Sequence, residues 1–194
     1  MSLSAYVGKK ILADAFNRTV FSAAGEAEIF LVGGYIRDVL LNRPSRDRDY
    51  IVRGRLKDVA GNVAAETGGK AVTIGNKGLF RIVLEKGDTL DFSALRKDLI
   101  TDLSLRDFTV NAIAWGAETG LVDPFGGVDD LGGRSLRMVA ADNIENDPVR
   151  ILRAYRLAHD LDFAVDEATR ASLKSCGHLL AGAKTERITL EFFR

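Results

Sequence analysis

Asp47 and Asp49 stand one residue apart in Arg46-Asp47-Arg48-Asp49-Tyr50, downstream of the double glycine in Leu31-Val32-Gly33-Gly34-Tyr35-Ile36-Arg37-Asp38. On a β-strand, residues i and i+2 face the same side, so the two carboxylates would converge on one point. Carboxylate oxygens suit Mg²⁺, which is usually held by one or two carboxylates together with substrate phosphates. Gly33 and Gly34 would let those phosphates approach the backbone closely. Asp91 is the odd polar residue of the alternating stretch Thr89-Leu90-Asp91-Phe92 and could add a third metal ligand or a base. Two carboxylates on one strand and a third on a neighbour could clamp two metal ions about 3.5–4 Å apart, the arrangement that serves phosphoryl displacement. The pattern points to metal-assisted chemistry on a nucleotide. Taken singly, each feature has a plainer reading: a solvated strand start, a glycine turn, an edge-strand aspartate.

Two further stretches carry chemistry. Leu105-Arg106-Asp107-Phe108-Thr109-Val110-Asn111-Ala112 brings Arg106, Asp107 and Asn111 together. Such groups can serve a ribose and a triphosphate, or equally a capping and turn network. In Asp147-Pro148-Val149-Arg150 the first and last residues share a helix face. A carboxylate accepts from an exocyclic amine and an arginine fork donates to ring acceptors, a pattern that cytosine and adenine satisfy and guanine and uracil do not. The plainer reading is a surface ion pair worth about 0–1 kcal/mol.

The elements that must position these residues are legible from periodicity. Residues 5–21 show helical spacing through Tyr6, Val7, Ile11, Leu12, Ala15 and Phe16. Residues 28–33 read as a buried strand, 35–41 as a helix stopped by Asn42-Arg43-Pro44-Ser45, and 48–52 as the strand that begins at the aspartates. Leu56, Val59, Ala60, Val63 and Ala64 mark an amphipathic helix that ends at Gly68-Gly69. Residues 71–74 and 80–84 flank Gly75-Asn76-Lys77-Gly78, a hairpin signal, and 89–95 form another strand after Lys86-Gly87-Asp88. Residues 28–95 are thus predicted to form an α/β unit with a partly antiparallel sheet. Asp123-Pro124-Phe125-Gly126-Gly127 is a turn cluster. Asp147, as N-cap, and Pro148 should start a helix that ends near Leu161, and helices over 166–181 and from Thr185 should follow. The last of these closes on Phe192-Phe193-Arg194 with nothing to bury the aromatics, as expected of a piece of a longer protein.

Composition sets the frame. The 194 residues hold 27 Lys+Arg and 27 Asp+Glu, so bulk charge does not favour nucleic acid, although a local basic cleft is compatible with that balance. A single cysteine, Cys176, forms no internal disulfide, and a reducing cytoplasm is expected. With that one Cys and two His (His159, His178), a zinc site of the N/S type is not expected. No apolar run approaches membrane-spanning length and the N-terminus lacks a signal-peptide pattern.

From about residue 29 onward the chain resembles the head of the class II RNA nucleotidyltransferases, the CCA-adding tRNA enzymes and bacterial poly(A) polymerases. The glycine stretch with Asp47-Arg48-Asp49 is similar to the first motif of that family. Arg106-Asp107-Phe108-Thr109-Val110-Asn111-Ala112 is similar to its ribose-reading motif, and Asp123-Pro124-Phe125-Gly126-Gly127 with Asp130-Leu131 to its hinge. Asp147-Pro148-Val149-Arg150-Ile151-Leu152-Arg153-Ala154 resembles the amino-acid template, and Glu186-Arg187-Ile188 with Glu191 the start of the neck motif.

The resemblance implies an α/β (α+β) nucleotidyltransferase palm with a small mixed sheet over residues 1–126. The start of an all-α neck would follow over residues 127–194, without the family's RNA-binding body and tail. It implies transfer of CMP and/or AMP from CTP or ATP to the 3′ end of a tRNA or other RNA. Asp47 and Asp49 would hold two Mg²⁺ and Asp91 would complete the site. Gly33, Gly34 and Arg37 would face the triphosphate, and Arg106, Asp107 and Asn111 the sugar and phosphates. Asp147, Arg150 and Arg153 would bind the nucleotide, the first two by reading its base. A poly(A) polymerase and a non-catalytic nucleotide- or RNA-binding module are the alternatives. A P-loop kinase would need a Gly-Lys-Ser/Thr loop, and Lys77 has no hydroxyl residue after it. The chain departs from the family in three places: Leu105 replaces an arginine, Asn146 an acidic residue, and only residues 97–101 stand where CCA-adding members carry a longer flexible loop. CC-adding relatives lack that loop.

Overall fold

The computed structural model describes residues 1–75, 78–85 and 87–193. The predicted hairpin turn at Asn76-Lys77 and the turn residue Lys86 lie outside them. The chain forms two compact units, one of Met1–Asp102 with Ile113–Asp123, the other of Leu103–Ala112 with Pro124–Arg194. No described helix is long and apolar enough to cross a membrane.

The first unit opens with α1 (Leu3–Ala13) and α2 (Ala15–Ser22), followed by β1 (Glu28–Val32), α3 (Gly34–Leu40), β2 (Arg48–Arg53) and α4 (Leu56–Thr67). Next come β3 (Lys70–Ile74), β4 (Leu79–Val83), β5 (Thr89–Ala94) and α5 (Leu99–Ser104). Two short strands, β6 (Ala114–Gly116) and β7 (Gly120–Val122), complete the sheet. Its order is β3-β4-β5-β2-β1-β6-β7, with β2 and β5 parallel and the other neighbours antiparallel. The mixed sheet agrees with the sequence reading, which ended the unit at residue 95. Three-residue strands are too short to show a period of two, so β6 and β7 left no signal.

Alternation along β2 sorts the sheet into two faces. Leu31, Tyr50, Phe92 and Trp115 lie in one cross-strand row. Tyr50 stacks on Phe92 with ring centroids 4.9 Å apart, and Phe21 of α2 sets its edge against Tyr50 and Trp115. α1 comes so close to this row that a Cβ at Gly8 would meet the Trp115 ring at 2.9 Å. The next row, on the opposite face, is Val32, Asp49, Asp91 and Arg81.

The single apolar helix over residues 5–21 divides in two. Asp14 is extended (φ −73°, ψ 130°), and its carboxylate caps α2 by accepting from the Asn17 N–H at 2.9 Å. It also pairs with Arg48, so two anchors outside α1 outweigh the continuation of the helix.

The second unit contains a 3₁₀ turn at Thr109–Asn111, α6 (Gly127–Gly132), β8 (Ser135–Leu136), α7 (Ala141–Glu145) and α8 (Val149–Leu161). It continues through β9 (Ala164–Val165), α9 (Glu167–Cys176), a 3₁₀ segment at Gly177–Gly182 and α10 (Thr185–Phe192). Its core includes Leu136, Ile144, Ile151, Ala154, Leu157 and Leu173. The parallel pair β8–β9 adds a small sheet that the all-α expectation lacked. The predicted helix over 166–181 is α-helical only to Cys176. Asp147 does not cap α8: Pro148 occupies that position, and the Asp147 carboxylate is engaged elsewhere.

Gly33 joins β1 to α3 at φ 78°, ψ −135°, a conformation that side chains resist. Gly33→Ala should therefore lower the unfolding free energy by about 1–3 kcal/mol. Urea denaturation of the two proteins measures this directly.

Candidate active site

In the first unit the strand period turns Asp49 to solvent while Arg48 and Tyr50 are buried, and Asp47, exposed as well, stands just before the strand and not, as expected, on it. Asp49 stands beside Asp91 in the parallel pairing of β2 and β5, and Asp91 stands opposite Arg81 on β4. The structure thus brings Asp49 and Asp91 onto one row. It adds a cation that the sequence reading missed. Arg81 grips Asp91 with a two-pronged hydrogen bond, Nε to Oδ1 and Nη2 to Oδ2, both 2.7 Å. The hydrogen bond to Asp91 is the largest cause raising the Arg81 pKa, and the charges of Asp91, Asp49 and Asp47 add to it against a smaller burial cost. The signal was present in hairpin register, which sets Arg81 across from Asp91, but a lone arginine on an alternating strand reads first as a solvated edge.

Both Asp91 oxygens thus serve Arg81 in this arrangement. Among the described residues no group of three or more His, Cys, Asp or Glu side chains is placed to hold a metal ion. Asp47 and Asp49, exposed and bearing only oxygen donors, fit a hard cation that completes its shell with phosphate oxygens and water. Gly33 donates its N–H to the Ile113 carbonyl at 3.0 Å, which fixes the turn before α3. Arg37, expected to face a triphosphate, pairs with Asp38 at 2.8 Å, both side chains largely covered.

Behind β2 lies a buried polar cluster that the sequence did not disclose. The Arg48 guanidinium donates to both Asp14 oxygens and, through Nη1, to the Arg46 carbonyl. The rings of Phe16 and Tyr35 flank it at 5.2 and 5.5 Å. Tyr50 O–H donates to Asn17 Oδ1, and Asn17 Nδ2 donates to the Ile11 carbonyl. Burial opposes the Arg48 charge, and the Asp14 hydrogen bond and charge outweigh it, so its pKa lies above the ordinary arginine value. Burial, the largest cause in each case, raises the pKa of Tyr35 and pushes that of Tyr50 well up.

The short connection at residues 97–101 is largely helical. Asp98 accepts from the Thr101 N–H and Oγ1, both at 2.8 Å, and Arg96 N–H donates to Asp102 Oδ2 at 3.1 Å. The backbone hydrogen bond from Thr101 is the largest cause holding the Asp98 carboxyl below its usual pKa.

The second unit gathers another set. Asp107 Oδ1 accepts from the Phe108 N–H at 2.7 Å and from Asn111 Nδ2 at 3.0 Å. Its Oδ2 lies 2.7 Å from Arg153 Nε, close enough for an ion pair, although the N–H is not aligned for a hydrogen bond. Asp107 and Asn111, both buried, and the partly exposed Arg153 therefore come together as one knot. Arg106 donates to the Asn111 carbonyl at 3.5 Å, at the outer limit of a hydrogen bond, and Leu105 is exposed. The 3₁₀ turn is held from α6: Thr109 Oγ1 donates to Asp130, which also pairs with Arg137.

Asp147 and Arg150 share a helix face as expected, 3.7 Å apart. The tighter partner of Asp147 is Arg187 on α10, whose guanidinium donates to its two oxygens at 2.9 and 2.8 Å. These contacts, the hydrogen bond first, raise the Arg187 pKa. Glu191, one turn on, holds Arg156 at 3.0 Å and Arg153 at 3.6 Å. Each carboxylate oxygen has two lone pairs, so Asp147 retains capacity to accept from a ligand while Arg187 is in place.

The Poly A polymerase head domain family matches residues 29–137. The chain is 43% identical over 169 residues to the CC-adding tRNA nucleotidyltransferase of Geobacter sulfurreducens (85% of this chain, 39% of that protein). It is 40% identical over 167 residues to the CC-adding tRNA nucleotidyltransferase of Synechocystis sp. (84% and 40%). Among solved structures, the Thermotoga maritima CCA-adding enzyme complexed with tRNA aligns with a TM-score of 0.87 at 27% identity, over 98% of this chain and 49% of that one. The chain thus spans about two fifths of the length of these curated relatives.

The two ion pairs of the second unit should differ in worth. Asp107→Ala removes the acceptor of the Phe108 N–H and Asn111 Nδ2 and leaves Arg153 with Glu191 at 3.6 Å, and removal of one member of a buried pair costs about 3–5 kcal/mol. Arg153 is partly exposed, so the expected loss lies near the lower end of that range. Arg187→Ala removes a half-exposed partner and should change stability by less than about 1 kcal/mol. Urea unfolding of both variants tests the ranking.

Proposed function

The chain belongs to the Poly A polymerase head domain family, and from that premise we propose that the protein carrying it adds CMP and/or AMP, from CTP or ATP, to the 3′ end of tRNA. The observation that carries this reading is the pair of exposed carboxylates at Asp47 and Asp49, the second of which lies in one cross-strand row with Asp91 and Arg81. Asp47 and Asp49 would hold two Mg²⁺, whose chemistry is to neutralise the triphosphate and activate the RNA 3′-hydroxyl. Arg81 would offer a fixed positive charge to phosphate oxygens, with Asp91 as its anchor. The Gly33-Gly34 turn would admit the triphosphate close to the backbone, and Arg37 would meet it by leaving Asp38. In the second unit, Arg106, Asp107 and Asn111 would hold the sugar and phosphates, and Arg153 would keep Asp107 oriented. Asp147 and Arg150 would read the base edge. Positioning and charge neutralisation suffice for such a transfer, with no covalent intermediate. Residues 1–126 would be the head and 127–194 the start of the neck of a protein that works in the cytoplasm.

The finer reading is CC addition. Two observations favour it: the named CC-adding relatives at 43% and 40% identity, and a 97–101 connection that is helical and pinned by Asp98. A segment so fastened has little freedom to change its own shape between successive additions.

The test is to supply the protein with tRNA lacking its CCA end, add each nucleoside triphosphate singly, and sequence the 3′ ends. CTP should be incorporated twice, and Asp47→Ala or Asp49→Ala should abolish incorporation while the fold persists. Near-normal turnover in either variant would remove these residues from the mechanism. Mispairing two buried polar groups costs roughly 2–6 kcal/mol, so GTP and UTP should be disfavoured by about 30-fold or more. Arg150→Ala should flatten that preference. On tRNA already ending in CC, ATP alone should give little product. Efficient addition of one A would move the assignment to a CCA-adding enzyme, and a long A tract to a poly(A) polymerase.

A further inference from the structure

The Asp47/Asp49 pair is held from behind. Asp47 precedes β2 and has no place in its ladder, which begins with Arg48 opposite Leu90. Sheet hydrogen bonding alone therefore does not fix the residue that presents the first carboxylate. What fixes it is the side chain between the two aspartates. Arg48 turns inward, 6% exposed, and all three of its guanidinium nitrogens are committed. Nη2 and Nε hold the two oxygens of Asp14 at 2.6 and 3.3 Å, and Nη1 holds the Arg46 carbonyl at 3.2 Å. The backbone is thus tied on both sides of Asp47, at Arg46 by its carbonyl and at Arg48 by its side chain. Asp14 is itself immobilised as the cap of α2 through the Asn17 N–H, and Asn17 receives Tyr50 O–H from the next inward position of the same strand. Phe16 and Tyr35 close over the guanidinium.

We infer that Asp14, acting through Arg48, is a positioning residue for the Asp47/Asp49 carboxylates. This inference rests on the assignment of that pair as the metal-binding pair. Its physical content is that inward and outward residues of one strand cannot rotate independently. If the Arg48 fork lets go, the backbone from Arg46 to Asp49 gains freedom and the two carboxylates lose their common aim. Functional groups tolerate about 0.5 Å of such drift, and roughly 1 Å can cost a hundredfold in rate. A buried ion pair is an expensive way to gain stability, because apolar residues of similar volume often serve as well. Its retention directly between two metal-binding carboxylates is accounted for by the geometry it enforces.

The experiment separates aim from stability. In the double variant Asp14→Leu/Arg48→Met both charges are removed together, so no unpaired buried ion remains and the fold should survive. Mn²⁺ binding, followed by electron paramagnetic resonance at a temperature where circular dichroism shows folded protein, should weaken at least tenfold. Incorporation of CMP should lose at least tenfold in kcat with KM for CTP within about threefold. Asp14→Glu, which keeps the carboxylate, should recover most of both. Should the double variant fail to fold, Asp14→Asn and Arg48→Lys decide by the same readouts, since each retains part of the fork. Folded variants with parental Mn²⁺ affinity and parental kcat would overturn the inference. An unmutated protein that binds Mn²⁺, loses that binding in the variants and yet transfers no nucleotide would uphold the positioning and bring down the transfer reading alone.

Discussion

The alternation of a single central strand is the constraint on which the first unit depends. β2 lies in mid-sheet between β5 and β1, and its residues must point by turns to opposite faces. Arg48, Tyr50 and Val52 go inward, where α2 and α3 supply Asp14, Phe16, Asn17 and Tyr35 to receive the first two. Asp49 must then face the other way, in line with Asp91 and Arg81. A slip of one residue would bury the carboxylates among aromatic rings and expel the tyrosine, so register and site are one property. The parallel pairing of β2 with β5 matters as well, because it sets Asp49 and Asp91 side by side without a turn between them.

Both units contain carboxylates of the candidate sites that are paired with an arginine. Asp91 has Arg81, Asp107 has Arg153, and Asp147 has Arg187. Arginine suits the role because its planar fork stays charged and fixes the carboxylate plane. The more exposed of these pairs, Asp147–Arg187, adds little stability, and its value is orientation. This distribution is compatible with both a net charge of zero and the proposed handling of phosphates. At these three positions a positive charge is stationed beside a particular carboxylate, where it can be shared with an incoming anion.

The sequence disclosed most of what depends on local pattern. β1, β2 and β5 and the helices α3 and α4 lie where apolar periodicity and glycine stops put them. Period two turned Asp49 to the face opposite Arg48 and Tyr50, and the spacing of Asp147 and Arg150 brought them within 3.7 Å. Long-range pairing was the part that stayed hidden. Nothing in the composition of residues 5–21 says that Asp14 leaves the helix for an arginine 34 residues away, because an aspartate in an amphipathic run reads as a solvated face. Asp14 followed three residues later by Asn17 was a faint capping signal. Arg187 and Arg81 were hidden for the same reason: a charged residue on an exposed element has no local mark that names its partner.

The 97–101 connection shows how a small local bond can bear on specificity. A loop this short would still be pliable if its backbone groups faced water. Here Asp98 uses its two oxygens on Thr101, and Arg96 and Asp102 close the other side, so the chain passes from β5 into α5 without a free segment. Entropy explains why such a difference could be decisive. A long loop gains alternative conformations at small cost, since closure entropy grows slowly with length. A capped helical start has almost none to gain. The connection is therefore fixed by its own side-chain caps and not by its length alone.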